Sequence, residues 1–215
     1  MTEQLGFLCY FWYINQAMKK LILSLALALS AIQLQAQYGS VELSSGGFSF
    51  VPNFTSEDPH FIVNMGTSNE KRLSVHLLSL VRAESLVPRN AIIMTRYQLL
   101  DRRFKLSVGA HLPAIQINDD YSVDSFFAQE VLTDYKINER WSVRSMYLHG
   151  MGRNLDLEIN FFTAGGAYSY KKFSSYSQVW VLDLDNGFGL SQTFGYEVAP
   201  KFTLKAFANQ TLQTE

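Results

Sequence analysis

The 215-residue chain has one cysteine, Cys9, and charged residues make up only 17% of it. A single cysteine excludes a disulfide scaffold and a thiolate zinc cluster, and its place near the N-terminus removes a cysteine nucleophile from the main body. Ordinary globular domains carry about 25% charged residues. With a formal net charge of -1 there is no basic footprint for a polyanion, so nucleic acid is not an expected partner. Long hydrophobic runs are also missing. No stretch of 18 apolar residues follows Gln37, which excludes a transmembrane helix from that point on. Apolar and aromatic side chains, 47% and 14% of the chain, are what it has instead. That much apolar surface must be covered, which excludes a disordered chain.

The apolar surface begins with an export signal. Met18-Lys19-Lys20 precedes a nearly continuous apolar segment from Leu21 to Ile32, and Leu34-Gln35-Ala36 offers a small residue for cleavage before Gln37. This is the design of a secretory signal peptide over residues 18–36. Residues 1–17 add a second apolar patch, Leu5 to Ile14, ahead of the lysines and read as a mis-annotated extension. A membrane anchor from Leu5 to Leu34 would hold Lys19 and Lys20 near its centre, at about 2.5–3.5 kcal/mol each.

From Gln37 onward the dominant period is two. In the segment 104–112 the apolar set Phe104, Leu106, Val108, Ala110 and Leu112 alternates with Lys105, Ser107, Gly109 and His111. Such alternation predicts a strand with one apolar and one wet face. Phe188, Leu190, Phe194, Tyr196 and Val198 repeat it, as do Leu157, Ile159 and Phe161, and Phe202, Leu204 and Ala206. Tight breaks fall at 68–70, 101–102, 138–139, 171–172 and Pro200, and longer connections fall between them, including Pro113 to Ser122. Tight turns at one end and longer loops at the other predict an all-β, antiparallel up-and-down barrel over residues 37–215.

Aromatic residues flank the tight breaks: Tyr97 and Phe104, Tyr135 and Trp141, Tyr170 and Phe173, Tyr196 and Phe202. Rings at one constant height predict a girdle at a water–lipid boundary. A soluble β-sandwich or lipocalin-like core also alternates rings along strands, but has no reason to pair them across every turn at one end. On these features the chain resembles the outer-membrane β-barrel proteins of Gram-negative bacteria. The resemblance implies an outer-membrane location, lipid as solvent and an insertion machinery as partner during biogenesis, and no residue-level motif carries over with it.

Eleven strands are countable, at about 40–51, 60–67, 72–82, 90–100, 103–112, 124–137, 140–149, 156–170, 173–183, 188–199 and 201–210. Antiparallel closure requires an even number. The expectation is therefore a barrel of ten to twelve strands, either with Gly39 to Val51 as a plug or tail, or with a last strand beyond Glu215.

The inward face is expected to carry Arg96, Lys105, His111, Glu130, Asp134, Lys136, Arg144, Asp156, Glu158 and Lys205. Gly109, Ala128, Ala164, Gly189 and Gly195 would leave space there, whereas Met94, Leu132, Met146, Leu148, Phe162, Trp180 and Phe207 would fill it. The paired carboxylates Asp156 and Glu158 could serve a glycosidase, but in a barrel lumen a solvated wall with mixed charge is the commoner and the favoured reading. Ser74 and His76 point to one face, yet outer-membrane phospholipases place the histidine two residues before the serine, the reverse of this order. Asp183, Asp185, Asn186 and Gly187 resemble the opening of a calcium loop without its distal glutamate, and a tight turn accounts for them without metal. No catalytic residue, metal site or cofactor is expected. The expected function is a small channel or porin-like protein for passive passage of small solutes, with a non-conducting structural or ligand-binding barrel as the alternative.

Overall fold

The computed structural model describes residues 38–46, 58–67, 72–183 and 187–212. These form β1 (Tyr38–Ser44), β2 (His60–Gly66), β3 (Leu73–Arg82), β4 (Pro88–Asp101), β5 (Phe104–Ile117), β6 (Val123–Lys136), β7 (Trp141–Gly152), β8 (Glu158–Tyr170), β9 (Phe173–Leu182), β10 (Gly187–Ala199) and β11 (Phe202–Leu212), with no helix among the described residues. Each strand pairs with the next in one eleven-stranded sheet, and every pairing is antiparallel. The all-β, up-and-down architecture is as the alternation predicts. β1 pairs with β2 from Tyr38↔Gly66 to Ser44↔His60, so the described part of the 39–51 segment belongs to the sheet; residues 47–51 lie outside the described residues. β1 and β11 share no ladder, and the sheet is compatible with a barrel without being closed by hydrogen bonds.

Period-two alternation divides the side chains between two faces. Outward, one cross-strand row runs through nine strands: Leu73, Tyr97, Val108, Val131, Tyr147, Phe162, Val181, Phe188 and Leu212. Every member is apolar or aromatic. Inward, the neighbouring row reads Ser74, Arg96, Gly109, Glu130, Leu148, Phe161 and Leu182.

The inward face changes character along the strands. Toward the longer connections it is apolar, with Leu80, Ile92, Ala114 and Phe126 in one buried cluster and Ala128, Met146, Leu148, Phe161 and Trp180 in another. Phe161 is 0% exposed and Leu148 2%. Toward the tight turns the face is polar and encloses a cavity of about 620 Å³.

Two expectations are corrected. β8 presents Ile159, Phe161 and Thr163 inward, while Glu158 pairs with Met151 and Phe162 with Tyr147 on the outward face. Glu158, Phe162 and Ala164 are therefore outward residues, and Asp156 is exposed in the 153–157 connection. The reason is the apolar filling of that half, which attracts the greasy side of β8 instead of the wet side. The loop expected from Pro113 is also shorter: β5 continues to Ile117, and the register shift between His111 and Ala114 absorbs the proline. A bulge already lacks ladder bonds, so the missing N–H of proline costs nothing there.

Candidate functional site

The cavity forms where short inward side chains from several strands leave room. Its wall includes Arg72, Ser74, Arg96, Lys105, Arg144 and Tyr176. Arg96 in that wall belongs to a charged cluster around Glu130. Arg96 Nε donates to Glu130 Oε1 at 2.5 Å and Arg96 Nη2 to Oε2 at 3.1 Å, while His111 Nε2 lies 3.0 Å from Oε2. The Glu130 side chain is fully buried, so the bidentate guanidinium is what makes its charge tolerable. Gly109 stands between Arg96 and Glu130 in the row, and a Cβ there would come within 2.6 Å of Glu130 Oε1. The glycine is the gap through which the two side chains meet across two strand spacings.

A second contact repeats the device. Tyr38, Gly66 and His76 share a row, and a Cβ at Gly66 would lie 2.6 Å from His76 Nδ1 and 2.8 Å from the Tyr38 hydroxyl. Through that gap the Tyr38 hydroxyl reaches His76 Nδ1 at 2.5 Å. His76 Nε2 lies 2.9 Å from Ser74 Oγ. Both ring nitrogens are thereby held, and the imidazole, 4% exposed, has a fixed orientation.

The remaining expected lumen residues sort into local pairs. Arg144 Nε donates to Asp134 Oδ2 at 2.7 Å, Lys105 Nζ lies 3.1 Å from Asp101, and Lys205 meets Glu42. Lys136 sits at the tight-turn rim, where its carbonyl accepts from Arg103 Nε at 2.9 Å. Glu158 lies on the other face, 3.9 Å from His149 Nδ1. Asp183 is engaged by Asn160, through its backbone N–H and its Nδ2, each at 2.6 Å. Residues 184–186 of the segment that resembles the opening of a calcium loop lie outside the described residues.

The eight ring residues at the tight turns all lie outward, 39–57% exposed. Trp141, Tyr168, Phe173 and Phe194 form a continuous chain of ring contacts at 4.7, 6.5 and 6.1 Å. Arg103 lies over Tyr135 at 5.2 Å and Arg140 over Tyr170 at 4.5 Å, placing cations just beyond the rings. Tyr168 and Phe194 are the two members that pairing across turns does not identify; Tyr168 is placed by its register partner Trp141.

Tyr38 and Glu42 are the site residues that no sequence signal marks. Tyr38 meets His76 through the pairing of three neighbouring strands, and Glu42 meets Lys205 only once the sheet has curled. No protein-family model, no curated protein and no solved structure matches the chain.

Proposed function

We propose that the chain is an outer-membrane β-barrel whose lumen is filled at the long-connection half and open as a cup at the tight-turn half, and that it binds a small polar molecule there without conducting. The nine-residue outward row supports lipid as its surroundings, because nine consecutive strands offer water an unbroken apolar line. β3 to β11 have 10 to 14 residues, enough for a tilted span of a hydrocarbon layer. By the usual arrangement of such barrels the tight turns, and with them the mouth of the cup, face the periplasm.

The observation that carries the non-conducting reading is the inward row Glu130, Leu148 and Phe161, at 2%, 2% and 0% exposure. A conducting path needs a continuous column of water, and these side chains occupy its course. The channel expected from the sequence retains the cavity in its favour. Single-channel recording of the purified barrel in a planar bilayer separates the two. Absence of current steps supports the filled cup, and porin-like steps overturn it in favour of the channel.

A further inference from the structure

Ser74, His76 and Tyr38 form a nucleophile, base and orienting group in the order that acyl transfer requires. Ser74 Oγ lies 2.9 Å from His76 Nε2, and His76 Nδ1 lies 2.5 Å from the Tyr38 hydroxyl. Ser74 belongs to the cavity wall, together with Arg72 and Arg96. The three residues come from β1 and β3, brought together over the gap at Gly66. We propose that Ser74 is the catalytic nucleophile of a hydrolytic site in the cup, acting on a carboxylic ester with a short acyl chain. The proposal rests on the cup admitting a small molecule.

The chemistry balances with water as the only co-reactant. With Nδ1–H donating to the Tyr38 oxygen, the Nε2 lone pair faces the serine hydroxyl and takes its proton as Oγ bonds to the ester carbonyl carbon. Collapse of the tetrahedral adduct breaks the ester C–O bond, and His76 returns the proton to the leaving alkoxide. Water repeats the sequence on the acyl-serine, releasing the carboxylic acid and restoring Ser74. Arg72, on the same wall, supplies positive charge for the oxyanion. Leu132 and Met146 line the same cavity and suit the acyl chain. Tyr38 touches only His76 in this scheme and is a positioning residue.

The test uses the intact purified barrel, an alkyl fluorophosphonate probe and p-nitrophenyl butyrate. The expected result is a covalent phosphonate on Ser74, located by peptide mass spectrometry, and ester hydrolysis that falls by roughly 100-fold or more in Ser74→Ala and in His76→Asn. Tyr38→Phe should lower kcat by roughly tenfold with KM unchanged, since it loses orientation of the base and no substrate contact. Ser74→Cys, which keeps the volume, should move labelling from the fluorophosphonate to a thiol reagent. An unlabelled Ser74 in a barrel of unchanged far-ultraviolet spectrum overturns the proposal, as does full hydrolysis by Ser74→Ala. Current steps in a bilayer would refute the non-conducting cup alone, because the Ser74 adduct is read independently of conduction.

Discussion

Lys205 donates through Nζ to the Glu42 carboxylate, joining the last strand of the sheet to the first across 163 residues of chain. Both side chains belong to the inward face, so the sheet curls until its two edges confront each other. The pair is half exposed, at 47% and 34%, and as an exposed ion pair contributes only about 0–1 kcal/mol. Its value is as a marker of shape. A protein carrying Glu42→Cys and Lys205→Cys should form an intramolecular link with a short bismaleimide, seen as one faster band on denaturing electrophoresis. A flat or open sheet would leave the two thiols unlinked.

The Arg96 and Glu130 pair predicts non-additive mutations. Arg96→Met leaves the fully buried Glu130 carboxylate without its guanidinium and should destabilise the barrel by about 3–5 kcal/mol. Removing both charges, as Arg96→Met with Glu130→Leu, should recover most of that loss. Refolding titrations into lipid vesicles measure the cycle, and purely additive costs would show that the two charges do not depend on each other.

The proposed lipid exposure of the outward row makes a second contrast. Val131→Arg places a charge in the middle of the apolar line and should cost about 2–4 kcal/mol if the bilayer midplane lies there. Lys105→Arg, at the cavity wall, should be nearly neutral. Equal costs for the two substitutions in the same titration would mean that the outward face does not meet lipid.

In the 118–122 connection, Asp120 predicts a pH effect confined to one loop. Its carboxylate is held below the ordinary aspartate range, first by the Ser122 hydroxyl at 2.6 Å and then by the Ser122 backbone N–H at 2.9 Å. A depressed folded value means that the local contribution is complete above the ordinary aspartate range and disappears as pH falls through the depressed one. Amide exchange at Ser122 should therefore accelerate only in acid, below the range where free aspartate titrates. Acceleration that begins at or above that range would contradict the bonding.

Alternation made all eleven strands legible, and the rings at the tight turns marked one end of the sheet. Parity alone does not say which face is inside. For β5 the wet side, with Lys105 and Gly109, does line the lumen. For β8 the inference inverts, because Ile159 and Phe161 enter a lumen that is apolar at their height and Glu158 faces out near the connection. Pro113 reads in the sequence as the end of a strand because the bulge that accommodates it has no signature beyond the proline itself. The contact of Tyr38 with His76 depends on the register of three strands over Gly66, and that of Glu42 with Lys205 on how far the sheet curls, neither of which a local pattern encodes.

The gap at Gly109 also guards against an error that alternation leaves undetected. If one strand slides by a single residue, every side chain changes face, and burial opposes it strongly. A slide of β5 by two residues keeps every face and leaves the hydrophobic pattern intact. It would, however, bring Ser107 or His111 to the place where a Cβ stands 2.6 Å from Glu130 Oε1. The Arg96 guanidinium would then be shut off from its carboxylate, with the charge of Glu130 still sealed inside. One missing side chain thus acts as a ratchet tooth in reverse, an absence that admits a single alignment of three neighbouring strands and rejects the even-numbered misalignments that the rest of the sheet would accept.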